Sequence, residues 1–98
     1  MTRDLRESRL DRLYEAFTQI RTREEAAAFL HDLCTFRELE DMAQRLAVAS
    51  MLQQGENYMK IASEIGISTA TISRVSRALN YGSGGYEILL SRLSQEEP

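Results

Sequence analysis

Few side chains in this 98-residue chain are placed where they could do covalent or metal chemistry together. His31 and Cys34 lie three residues apart, a spacing that puts two potential metal ligands on one helix face, yet the chain holds no other His or Cys. Two ligands are too few for a structural zinc site, so no metal is expected. Cys34 then reads as a small buried hydrophobe near a helix end, and His31 as a surface or interface residue. Glu38, Glu40 and Asp41 cluster near a helix start, where the helix dipole favours carboxylates. With no cleft predicted around them they form a solvated face, not an acid–base pair. The stretch Gly82-Ser-Gly-Gly85 lacks the lysine and the preceding strand of a phosphate loop and reads as a hinge. No nucleophile stands beside a base, so an enzyme is not expected, nor is a cofactor.

The segment from Tyr58 to Arg77 is different, because its chemistry is recognition. Ser68, Thr69, Ala70, Thr71 and Ser73 give a helix start made of small and hydroxylated side chains, which can approach base edges and thymine methyl groups closely. Arg74 and Arg77 follow on the same helix, with reach to phosphates or guanine edges. The elements needed to present them are written in the same stretch. Ile61, Ile65 and Ile67 point inward from a first short helix and its turn, and Ile72 and Val75 point back from a second. Ala62 allows the two helices to cross closely. Gly66 supplies a left-handed backbone at the turn, and Ser68 caps the second helix. These positions together define a helix-turn-helix, a motif whose second helix reads the DNA major groove.

The net charge of −3 argues against nucleic acid only when averaged over the chain. Residues 1–56 carry eight Arg against eleven acidic residues, a balance of −3, whereas residues 57–93 carry four basic residues against two acidic, a balance of +2. The basic excess falls on the recognition segment.

Helical periodicity continues on both sides. Leu10, Leu13, Tyr14, Phe17 and Ile20 form one face of a helix over about 3–20. Thr22 with Glu25, and Thr35 with Glu38, are capping boxes that open a second and a third helix. The third carries Leu39, Met42, Ala43, Leu46, Val48 or Ala49, and Leu52 as its stripe, and Gly55 stops it. Asn57 caps the fourth helix, and Ser68 the fifth, which runs to about Asn80. After the glycine-rich break a sixth carries Tyr86, Leu89, Leu90 and Leu93, and both Tyr81 and Tyr86 are expected to pack. A hydrophobic content of 43% is that of a folded chain, and no strand alternation or repeat appears. The expectation is one all-α domain over 1–98, with dimerisation helices in 1–56, a helix-turn-helix in 57–80 and a last helix over 83–94. The alternating charges at the N-terminus do not make a signal peptide, and no apolar run approaches a membrane span, so a cytoplasmic protein is expected.

Three segments, Leu33-Cys-Thr-Phe-Arg-Glu-Leu-Glu-Asp-Met-Ala-Gln-Arg45, Ser68-Thr-Ala-Thr-Ile-Ser-Arg74 and Leu79-Asn-Tyr-Gly82, resemble the tryptophan-repressor superfamily, in particular its YerC/YecD branch. The resemblance covers about residues 25–93. It implies a six-helix, intertwined homodimer whose two reading heads meet successive turns of the major groove of double-stranded DNA. That agrees with the stripes of the first three helices, which a monomer of this length could hardly bury. The resemblance also implies an effector pocket. Arg45 and Arg74 match the two arginines that sandwich an indole in tryptophan-responsive members, and Thr35 matches a threonine bordering the ligand. Val75 stands where those members have a glycine and Ala78 where they have a serine. The β-branched Val75 is expected to occlude tryptophan, leaving the pocket empty or open to another small molecule. The functional expectation is a sequence-specific transcriptional regulator, a repressor by family habit. A protein-interaction adaptor and a non-specific architectural DNA binder are the alternatives.

Overall fold

The computed structural model describes residues 4–96. Six α-helices follow one another: α1 (Leu5–Thr18), α2 (Arg23–Leu33), α3 (Phe36–Gln53), α4 (Tyr58–Ile65), α5 (Thr69–Tyr81) and α6 (Gly85–Glu96). None is long and apolar enough to cross a membrane. The chain divides into two compact units, residues 1–36 and 37–98.

In the N-terminal unit, α1 starts at Asp4, whose carboxylate accepts from the Arg6 amide at 2.9 Å. It ends two residues earlier than its apolar stripe suggests. The amides of Gln19 and Ile20 donate to Ala16 and Phe17, tightening the last turn into three-residue bonds. Thr22 caps α2 by accepting from the Glu25 amide at 3.0 Å. The Glu25 carboxylate reaches one residue further back than a standard capping box and accepts from the Arg21 amide at 2.9 Å. The rings of Phe17 and Phe29 meet edge to face, 5.7 Å between centroids. Neither α1 nor α2 has a fully buried residue. Cys34 is half-buried at the end of α2, its amide donating to Leu30, and His31 is exposed.

The C-terminal unit holds the core. Val48 and Ala49 of α3, Ile61 of α4, Ile72 and Val75 of α5 and Leu90 of α6 form one buried cluster, with Met51, Leu52, Ala62, Ile65, Ile67 and Tyr86 packed against it. α3 therefore packs with α4, α5 and α6 in the second unit, which begins at Arg37. The physical reason is that both Val48 and Ala49 face this core, where the stripe had offered one or the other. The remaining apolar side of α3 stays open, with Met42 and Leu46 exposed. Gly55 ends α3 with φ +84°, while the Glu56 amide donates to Met51 and the Gly55 amide to Leu52. This closes the last turn of the helix. α6 begins at Gly85, two residues later than expected, because Gly84 has φ +85° and cannot lie within the helix. The Gly84 carbonyl accepts the first helical bond, from Ile88.

Candidate nucleic-acid interface

The site is built by α4, the turn Gly66-Ile67-Ser68 and α5. Asn57 opens α4, its side-chain oxygen accepting from the Lys60 amide at 2.8 Å. Gly66 closes it in the left-handed region, at φ +78° and ψ +40°, with its amide on the Ala62 carbonyl at 2.9 Å. A side chain is disfavoured in that conformation, which is why glycine stands there. Ser68 then starts α5 by accepting from the Thr71 amide at 3.2 Å, and the two hydroxyls lie 3.1 Å apart.

With Ile72 and Val75 fastened into the core, the opposite side of α5 is set by helical period alone. Thr69, Ala70, Ser73, Arg74 and Arg77 are all exposed. Among the described residues neither Arg74 nor Arg77 is drawn into an ion pair, so both guanidinium groups are available to an anion. Ser68 and Thr71 are occupied at the helix start, and Thr71 is half-buried on the flank of this face.

Tyr81 departs from the sequence expectation. It is 85% exposed, and it sits four residues after Arg77 on the same side of α5. Tyr86 packs as expected. The helical period of α5 extended by one more turn would have shown Tyr81 outward, but its place beside the glycine-rich break suggested packing. Lys60, on the first turn of α4, is a second residue that the sequence reading left out of the site. Its ammonium lies 3.2 Å from the Glu56 carboxylate. Four-residue spacing was the available signal.

Of the residues assigned to an effector pocket, Arg45, Arg74 and Ala78 are exposed in the C-terminal unit, whereas Val75 is 1% exposed inside the core. Thr35 lies between α2 and α3 and is exposed. Arg37 pairs loosely with Asp41 at 3.8 Å on the outer side of α3, and Glu40 is exposed beside it. Among the described residues no three His, Cys, Asp or Glu side chains gather as a metal site requires.

Six helices without a strand among the described residues, with two of them joined by a three-residue glycine turn over a shared core, define an all-α helix-turn-helix protein. The family model of the Trp repressor protein matches residues 8–94, and the chain belongs to that family. It is 48% identical over 93 residues to the uncharacterized protein YerC of Bacillus subtilis (strain 168), covering 95% of this chain and 89% of that one. Among solved structures it is similar to a TrpR-like protein from Eubacterium eligens, with a TM-score of 0.84 and 41% identity, covering 93% of this chain and 94% of the other. A candidate Trp repressor from Staphylococcus aureus gives the same TM-score at 40% identity, over 99% and 100% of the two chains.

Proposed function

We propose that this protein is a homodimeric, sequence-specific DNA-binding regulator of transcription, acting as a repressor. The observation that carries the reading is the outward face of α5. Thr69, Ala70, Ser73, Arg74 and Arg77 are exposed together on a helix whose opposite side is locked into a hydrocarbon core, and neither arginine is in an ion pair among the described residues. Small side chains at the start of the helix admit it to the major groove, while the arginines one and two turns on reach bases or phosphates. Ser68 and Thr71 serve this face by fixing the helix start. Tyr81 extends it and can donate its hydroxyl to a phosphate.

Dimerisation is supported by what the single chain leaves uncovered. α1 carries Leu10, Tyr14 and Phe17 exposed, α2 carries Leu33 exposed, and neither buries a residue fully. In the C-terminal unit a groove of about 450 Å³ runs between α3 and α6, lined by Ala43, Leu46, Ala47, Leu90 and Leu93 and, in about equal measure, by the polar Ser50, Gln53, Gln54 and Ser94. A second copy covering these surfaces would place two α5 helices about a two-fold axis, so the operator should be palindromic with half-sites about one DNA turn apart.

Tryptophan does not fit the reading. The β-branched Val75 stands where the resemblance places a glycine, and Arg45 and Arg74 are exposed cations that can meet phosphate.

In vitro selection of duplexes bound by the purified protein tests the proposal. A palindromic consensus, bound with an affinity that falls steeply with salt, is expected. Equal affinity for selected and random duplexes would replace it by an architectural role. Absence of duplex binding at low salt would refute it in favour of protein contact.

A further inference from the structure

The three cations on the helix-turn-helix are not equivalent. Arg74 and Arg77 are unpaired among the described residues, whereas the Lys60 ammonium is held 3.2 Å from Oε1 of Glu56. Lys60 occupies the third position of α4, where the positive end of the helix dipole disfavours a cation. Its amide is already satisfied by Asn57. Glu56 sits just before the helix, where a carboxylate is favoured, and its backbone is fixed by the bond that closes α3. The Glu56 side chain is only 23% exposed. Oε1 faces Lys60, and Oε2 is covered, with no hydrogen-bond partner among the described residues.

We propose that Glu56 restrains Lys60 from DNA phosphates and thereby sets how tightly the head grips any duplex. The inference rests on the DNA-binding reading above. The first helix of a helix-turn-helix crosses the sugar–phosphate backbone, and Lys60 lies in its first turn. To give its ammonium to a phosphate, Lys60 must leave a carboxylate that has one oxygen sealed from solvent and no other ion pair among the described residues. A half-buried charge stripped of its partner is costly, and that cost is subtracted from the gain of the phosphate contact. Affinity that is the same for every sequence is thereby held down, and discrimination rests with the face of α5.

The test is a fluorescence-anisotropy titration of labelled selected and random duplexes at several salt concentrations, using the wild type, Glu56→Gln, Lys60→Met and the double variant. Freeing one phosphate contact should tighten Glu56→Gln by about tenfold at 50 mM salt and steepen the salt slope by about 0.9, on both duplexes alike. In the Lys60→Met background the same change should have no effect. If Glu56→Gln tightens binding as much without Lys60 as with it, Glu56 acts as a bare charge and the proposal is overturned. The same holds if Glu56→Gln leaves affinity and slope unchanged. Urea midpoints check folding. Should the glutamine variant unfold, Glu56→Asp, a methylene short of the ammonium, must also tighten binding only when Lys60 is present. A wild type that binds no duplex would instead defeat the DNA-binding reading, and this inference with it.

Discussion

Replacing Gly66 by alanine would probe the turn between α4 and α5 with little disturbance elsewhere. A Cβ built at Gly66 meets nothing within 4 Å, so steric collision contributes no cost. What remains is the backbone, held at φ +78° and ψ +40°. An L-residue in that region costs about 1–2 kcal/mol. Alanine also restricts the unfolded chain, which returns about 0.4–1 kcal/mol. The net loss is about 1 kcal/mol, roughly fivefold in the folding equilibrium. Asparagine enters the left-handed region more easily and should fall between glycine and alanine. The assay is urea denaturation at one fixed protein concentration, since a dimer's midpoint moves with concentration. An alanine variant as stable as the wild type would refute the reasoning, because it would mean that the turn does not require the left-handed conformation. Gly82→Ala is the counter-example. There φ is negative, but a Cβ would collide with the Ala78 carbonyl, so its cost is steric and asparagine should bring no relief.

Other outcomes follow from the same geometry. Ile72→Ala should cost about 2–5 kcal/mol by urea denaturation, since Ile72 is fully buried where α3, α4, α5 and α6 meet. Arg77→Ala should leave the urea midpoint in place while lowering the magnitude of the salt slope of DNA binding by about one if the guanidinium meets phosphate. Leu46→Glu puts a charge on the groove between α3 and α6; sedimentation should show a shift toward monomer, with duplex affinity falling in step. Tryptophan at millimolar concentration should produce no thermal shift, because β-branched Val75 stands where the resemblance places a glycine; a clear rise in melting temperature would show that Arg45 and Arg74 do hold an indole.

Local physics explains which parts of the fold were readable. Thr22, Asn57 and Ser68 cap helices at the positions their side chains and neighbours imply, and Gly66 takes the conformation that glycine alone adopts cheaply. Each of these depends on residues within four positions. The exposed face of α5 was readable for a related reason: Ile61, Ile72 and Val75 are unmistakably apolar, so the period of α5 sends Thr69, Ala70, Ser73, Arg74 and Arg77 outward. Tyr81 follows that same period outward, although it borders the glycine-rich break.

The amino-acid sequence by itself determined the six helices, the turn and the side of α5 that stays exposed, since these follow from caps, glycine and apolar period within short windows. Only the tertiary structure decided how a helix with apolar residues around most of its girth divides them. α3 gives Val48 and Ala49 to the core and leaves Met42 and Leu46 open, a choice made by which neighbours pack on it and not by its own pattern. Tertiary packing likewise covered one oxygen of Glu56 while leaving the other to Lys60. Burial is a property of the assembled surface, and so the strength of that charge pair could not be read from four-residue spacing alone.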